Sequence, residues 1–209
     1  MKPQEIINKN ITILFSEPLN HLLISPTELI NLFKIGDEKL DRHTFIEAPG
    51  LKVLVFPNRQ KEIIFESNRL LINDKTKEEV SKSEIFDYLE KIIEKNRMVD
   101  KNKISAYGFN FDVIVSSEKG KLKDFINPEI TGVFSKVKSI GIKLFFEKES
   151  LLQNFQITPT LLENQFLIQV NFHYPGVLEE KEKIREKFLD DFNKLIKLVE
   201  NLFKLVENL

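Results

Sequence analysis

Residues 44–73 read TFIEAPGLKVLVFPNRQKEIIFESNRLLIN, and the type of sheet follows from this stretch. Its β-forming residues come in short runs that are separated by Pro49-Gly50, Pro57-Asn58 and Ser67-Asn68, which are typical turn sequences. Links this short cannot make the crossover that parallel strands need. The stretch therefore predicts an antiparallel meander with strands at Thr44–Glu47, Leu51–Phe56, Glu62–Glu66 and Leu70–Ile72.

Helical signals lie on both sides of this meander. Before it, residues 11–15 predict a strand, and Ser25-Pro26-Thr27-Glu28 predicts a capped helix from about Pro26 to Ile35 that ends at Gly36. After it, Ser81-Lys82-Ser83-Glu84 is a second capping sequence. Apolar residues then follow at helical spacing, at Ile85, Leu89, Ile92 and Ile93.

The second half of the chain repeats this order of elements. We expect a strand at Lys103–Ser117, a helical stretch around Asn127-Pro128-Glu129, strands at Val137–Glu147, Leu151–Ile157 and Gln165–Tyr174, and a long helix from about Leu178 to the end. The sequence thus predicts an α+β fold whose mostly antiparallel sheet is built from two similar strand-helix-meander-helix halves and is covered by helices. Residues 1–209 form one expected domain, with 1–99 and 103–209 as candidate repeat halves.

Composition narrows the classes of function. The 31 basic and 32 acidic residues nearly cancel, which does not favour nucleic acid or an anionic membrane as a partner. The absence of cysteine excludes disulfides and thiolate chemistry. No apolar run reaches the length of a signal peptide or a membrane span, so the expected location is the cytoplasm.

The C-terminal helix carries the most distinctive pattern. Lys197–Leu202 (KLVENL) returns unchanged as Lys204–Leu209. One apolar row follows heptad spacing with Asp191 as its one interruption, and a second row contains Leu189, Phe192, Ile196 and Val199. Two rows predict two contact surfaces, the chain's own sheet and another copy, with a twofold dimer favoured. The expected interface residues are Leu195, Leu198, Leu202, Leu205 and Leu209; the alternative is a helix that covers only its own sheet.

Polar residues alternate along two predicted strands and form a candidate ligand site. Asn110 and Asp112 share one face of the first strand, and Gln169, Asn171 and His173 share one face of the last. If the strands are neighbours, these side chains could bind a small ligand or position a general base. The alternative is the solvated side of an antiparallel sheet.

Tyr107-Gly108-Phe109 resembles the centre of the RNP1 stretch of RNA-recognition motifs, whose aromatic side chains stack on bases. Ser105 and Ala106 depart from that pattern, and the aromatic face of the strand fits a core equally well. The resemblance implies a nucleic-acid surface at Tyr107 and Phe109. Nearby basic residues could cluster at one end of the sheet and extend that surface, or they could form a solvated charged face; they are Lys95, Arg97, Lys101, Lys103, Lys119, Lys121 and Lys123.

Catalytic and metal-binding motifs are lacking in the sequence. His21, His43 and His173 are far apart, and neither a G-x-S-x-G elbow nor a phosphate loop is present. No catalytic residue, metal or cofactor is therefore predicted. The preferred interpretation is a non-enzymatic, oligomeric interaction or adaptor protein that binds its own copies or an unidentified protein. A small-ligand binder or enzyme that uses the polar face, and a nucleic-acid binder, are the alternatives.

Overall fold

The structure, a computed structural model, describes residues 5–33, 42–95, 99–116, 141–148, 151–162 and 165–207. This part of the chain contains nine strands and three α-helices. In chain order they are β1 (Glu5–Phe15), α1 (Pro26–Leu32), β2 (Thr44–Ala48), β3 (Leu51–Phe56), β4 (Lys61–Glu66), β5 (Arg69–Asp74), α2 (Ile85–Lys95), β6 (Ile104–Ser116), β7 (Ile142–Lys148), β8 (Leu151–Pro159), β9 (Gln165–Pro175) and α3 (Lys181–Glu207).

All nine strands belong to one antiparallel sheet in the order β2-β3-β4-β5-β1-β6-β9-β8-β7. The predicted α+β class with an antiparallel sheet and a C-terminal helix is confirmed. The central pair is β1 and β6, which places the two strands that open the two predicted halves side by side.

Local sequence signals locate most elements to within a few residues. Strands β2 to β5 occupy the positions expected from the turn sequences, and Gly50 takes the positive φ of +71° that its turn requires. Strand β1 differs most, because it begins at Glu5 rather than at Ile11. The helical stretch expected around Asn127 and the start of the strand expected from Val137 lie outside the described residues.

The two predicted helix caps have different outcomes. Ser25 caps α1 as expected, since its hydroxyl accepts a hydrogen bond from the backbone N–H of Glu28 at 3.4 Å. The capping sequence before α2 does not begin the helix at Ser81, which lies in a 3₁₀ turn at Val80–Lys82. Ser83 donates its hydroxyl to Asp74 at 2.6 Å, so its side chain stabilises a strand end.

Helices α2 and α3 pack through aromatic rings on one face of the sheet. Phe188 of α3 lies 4.8 Å from Phe111, 5.3 Å from Phe109 and 5.1 Å from Phe86, measured between ring centroids. These rings are at most 3% exposed. Edge-on and tilted ring contacts of this kind add to the stabilisation that comes from burial, so α3 is held by a defined aromatic cluster.

A charged cluster interrupts the apolar face of the sheet. Lys9, Asp74 and Lys61 are cross-strand partners on β1, β5 and β4, and each is at most 3% exposed. The Asp74 Oδ2 atom lies 2.8 Å from the Lys61 ammonium and 3.6 Å from that of Lys9. Thr76 donates its hydroxyl to Asp74 Oδ1 at 2.6 Å. One buried carboxylate therefore serves two buried ammonium groups.

Burial and hydrogen bonding oppose each other in this cluster. Burial acts to raise the pKa of Asp74, but hydrogen bonds from Lys61, Ser83 and Thr76 outweigh it and hold that pKa below its ordinary value. Desolvation lowers the pKa of Lys9, which also donates to the backbone carbonyls of Thr76 and Glu78. The cluster is a structural centre whose charges depend on one another.

Candidate functional site: the polar face of the sheet and helix α3

The five residues of the predicted ligand site share the sheet face opposite Phe109 and Phe111. Strands β6 and β9 are neighbours, with Asn110 opposite Asn171, Asp112 opposite Gln169, and Gly108 opposite His173. Asn171 donates to Asn110 at 2.6 Å, and Gln169 donates to Asp112 at 3.1 Å. The structure therefore brings four of the five side chains into hydrogen-bonded pairs.

A row of side-chain amides extends this face across five strands. Asn171 donates to Asn110, Asn110 donates to Asn10 at 2.6 Å, and Asn10 donates to Asn73. Asn73 in turn donates to the Glu62 carboxylate at 3.0 Å. Asn110, Asn10 and Asn73 thus each accept from one strand and donate to the next, and Asn171 begins the row as a donor. We call these residues the amide row.

Sequence reasoning found only the β6 and β9 members of the amide row. Asn10 was missed because the predicted strand began at Ile11, after a polar run at Asn8-Lys9-Asn10. The alternation of Asn8, Asn10 and Thr12 on one side of β1 is the signal that could have revealed it. Asn73 and Glu62 can be assigned to the row only when the strand order is known, and sequence periodicity does not give that order.

Asp112 and His173 are not brought together. Gly108, the partner of His173, lies four residues from Asp112 along β6, a separation of roughly 13 Å at the rise of a strand. Both Asp112 oxygens also accept from amides, Oδ1 from Gln169 and Oδ2 from Asn8 at 3.4 Å. The geometry is that of a carboxylate that organises its neighbours rather than of an acid–base pair.

Gly108 allows β6 and β9 to approach closely at this face. A Cβ atom at this position would lie 2.7 Å from the backbone oxygen of Phe172. Any side chain would therefore push against backbone that cannot move independently. The glycine in Tyr107-Gly108-Phe109 thus has a packing role.

Among the described residues, two buried acceptors on this face make no hydrogen bond in the structure. They are Asn8 Oδ1 and Asn154 Oδ1. Within the described ranges, no group of three or more His, Asp or Glu side chains could hold a metal ion. The polar face therefore offers amide groups together with the Asp112 and Glu62 carboxylates.

Helix α3 buries one row of side chains and leaves side chains on either side of that row less buried. Ile184, Phe188, Leu195 and Val199 are at most 1% exposed, whereas Leu198 is 38% exposed. Leu195 is thus part of the chain's own core. The side chains of Leu202 and Leu205, and Leu209 as a whole, lie outside what the structure describes.

Asp191, the interruption of the heptad row, is completely buried. It accepts hydrogen bonds from the Tyr174 hydroxyl and, at 2.7 Å, from the Lys194 ammonium. Burial raises the pKa of Asp191, and burial together with the Asp191 carboxylate raises the pKa of Tyr174. The break in the apolar pattern is therefore a buried polar contact between α3 and β9.

The raised pKa of Asp191 predicts a pH dependence of stability. Between its ordinary pKa of 3.8 and its higher folded value, the folded state binds more protons than the unfolded state, so this group makes stability fall as pH rises. Asp191→Asn keeps an acceptor for Tyr174 and removes the charge. We expect the variant to exceed the wild type in unfolding free energy at pH 7 and to lose this advantage towards pH 4.

Urea unfolding at several pH values measures this difference. Glu186→Gln is the matched control, since Glu186 is an exposed acidic residue of the same helix. A lower stability of Asp191→Asn at pH 7 would show that the charge itself stabilises the contact.

The second row of α3 lines an open groove of about 900 Å³. Leu189, Phe192 and Ile196 form one side, and Ile6 and Val80 lie on the other. At the rim, Lys77 and Glu5 pair with each other at 2.5 Å. The groove therefore presents apolar surface, with Glu79 and Glu200 as further acidic lining residues beside the Glu5–Lys77 pair.

The two aromatic residues of the nucleic-acid hypothesis lie beneath this helix layer. Tyr107 is 2% exposed and Phe109 is fully buried, so neither ring face is open to a base. Tyr107 stacks on Tyr174 at 5.2 Å between ring centroids. Of the basic residues, Lys103 pairs with Glu17 at 2.6 Å. Lys101 is exposed, and the side chains of the other basic residues lie outside what the structure describes.

No family model matches the chain, and no curated protein matches it. None of the described helices is long and apolar enough to cross a membrane.

Proposed function

We propose that this protein is a non-enzymatic, self-associating interaction protein whose contact surface is the part of α3 that its own sheet does not cover. The observation that carries the proposal is that apolar residues remain uncovered on both sides of the buried row. Leu198 is exposed on one side, and Ile196 lines the open groove on the other. Apolar surface of this kind on a long helix is typical of protein–protein contacts.

A second copy of the chain is the occupant that these features favour. The groove is apolar, and its rim pair, Glu5 and Lys77, needs no charge from a partner. The chain carries a formal net charge of −1, so two copies repel each other little. The repeated KLVENL sequence supplies the same apolar rows in both copies, as a twofold contact requires.

Light scattering after size exclusion tests the proposal. We expect the full chain to show twice its mass of 24.5 kDa. Leu198→Glu, Ile196→Glu or both should shift the mass to that of the monomer, because each places a charge in an apolar contact. Lys197→Gln is the matched control, since it makes the same change in charge at an exposed position of the same helix.

Point substitutions are preferable to truncation. Ending the chain at Asn193 would also remove Leu195 and Val199, which belong to the core. A wild-type chain that stays at 24.5 kDa over a wide concentration range, or a dimer that survives both glutamate substitutions with circular dichroism unchanged, contradicts the proposal.

We also propose that the fold arose by duplication of one strand-helix-meander-helix unit. The support is the sheet order: from the central pair outward, β1 is followed by β5, β4, β3 and β2, and β6 by β9, β8 and β7. Beyond β1 and β6, the described strands of each half therefore run outward in reverse chain order. Diverged relatives whose halves align with each other are the expected finding, and halves that never align would contradict the duplication.

A further inference from the structure

A separate pocket of about 490 Å³ lies between α2 and the start of α3. Its floor is formed by Phe86, Leu89 and Ile184, which are at most 4% exposed. Leu178 and Ile93 continue the apolar lining at the sides. A concave volume of this size with an apolar floor is typical of a small-molecule site.

The rim of this pocket is acidic. Four glutamates line it, Glu90, Glu94, Glu179 and Glu180, against the two lysines Lys101 and Lys181. The Lys181 ammonium is already held by Asp87 and Glu90, each at 2.7 Å. Glu94 and Glu180 form no ion pair with another described residue. Among the described lining residues, two carboxylates at the mouth thus remain unpaired, against the one ammonium group of Lys101.

The partial charges at the ends of α2 and α3 do not reverse the preference of the acidic rim for a positive charge. The start of α3 contributes partial positive charge, and the last turns of α2 contribute partial negative charge. Because both ends meet at the pocket, their fields oppose each other, and the side chains decide which charge is favoured. The lining therefore selects for a cation.

We propose that this pocket binds a small organic cation, with its apolar body on Phe86 and Ile184 and its ammonium group near Glu94 and Glu180. The site goes beyond the proposed self-association. Ile184 lies fourteen residues before Leu198 on α3, roughly 21 Å along the helix axis. The two surfaces can therefore be tested independently.

Indole compounds are suitable probes because the chain has no tryptophan, so indole fluorescence excited near its red edge reports the probe. Tryptamine carries an ammonium group, and indole-3-propionate carries a carboxylate on a similar apolar body. We expect the fluorescence anisotropy of tryptamine to rise saturably as the protein is added and to fall with sodium chloride. The anisotropy of indole-3-propionate should stay flat.

Paired substitutions locate the binding. The double variant Glu94→Gln/Glu180→Gln should weaken tryptamine binding about tenfold, which corresponds to two partly exposed charge contacts. The control Glu182→Gln/Glu186→Gln removes the same charge from exposed positions of α3 that do not line the pocket. Leu198→Glu should leave binding unchanged.

Three results would overturn the proposal: no saturable binding of tryptamine at millimolar concentration, equal binding of indole-3-propionate, or equal loss in the pocket variant and its control. Tryptamine binding in a protein that proves monomeric would reject the self-association and keep this site.

Discussion

Asp74→Asn is expected to lower the unfolding free energy by about 3–5 kcal/mol, because it leaves two buried ammonium groups without their shared carboxylate. Lys9 and Lys61 are at most 3% exposed, so water cannot replace the lost partner. Urea unfolding at pH 7 followed by circular dichroism measures the change. This substitution keeps the size of the side chain, so the loss reports charge rather than packing.

Two comparisons make this result specific. Lys9→Met leaves Asp74 with Lys61 at 2.8 Å as a matched pair, so its cost should be smaller than that of Asp74→Asn. Asp190→Asn, at an exposed position, should change stability by no more than about 0.5 kcal/mol. Equal losses for Asp74→Asn and Asp190→Asn would mean that the buried cluster has no special role.

The pH dependence gives an independent signature of Asp74. Its folded pKa is lower than the ordinary 3.8, so the unfolded state binds more protons in that window. The stabilisation by Asp74 is fully present above pH 3.8 and is lost as pH falls through the folded pKa. Asp74→Asn should lack this part of the acid-induced loss.

Phe188→Ala is expected to cost about 3–5 kcal/mol, the range for removing a large aromatic ring from a core. Phe188 is fully buried and contacts the rings of Phe86, Phe109 and Phe111. Its loss leaves a cavity where α2, α3 and the sheet meet. Thermal and urea unfolding should both show the change, together with loss of near-ultraviolet signal from Tyr107 and Tyr174, which lie beside the same cluster.

Leu198→Ala is the matched control on the same helix. Leu198 is 38% exposed, so its truncation should change the stability of the monomer by about 1 kcal/mol or less. If Leu198→Ala costs as much as Phe188→Ala, then α3 is anchored along a different row from the one the structure shows.

The sequence predicted those parts of the fold that rest on local chemistry. Turn pairs such as Pro49-Gly50 located the meander, and the Ser25-Pro26 sequence located α1. Alternation placed Asn110 and Asp112 on one face and Phe109 and Phe111 on the other. In each case, the decisive contact lies within a few residues of the signal.

The misses depend on partners that are distant in sequence. The first half of β1 was overlooked because Lys9 looks like a surface residue, and its partner Asp74 is 65 positions away. Asp191 looked like an interruption in a heptad because its partner is Tyr174 on a strand. The role of a polar residue in a core is clear only when its partner is known, and sequence periodicity does not identify that partner.

The amide row disfavours an error of strand register that the alternation of apolar and polar residues cannot prevent. A slip of one residue would turn every side chain to the wrong face, but a slip of two would keep all apolar residues inward. With β9 displaced by two against β6, Asn171 would lose Asn110, and Gly108 would no longer face the Phe172 carbonyl. On the other face, displacing β5 by two would part Asp74 from Lys9. The polar contacts thus distinguish the native alignment from alternatives that burial alone would accept.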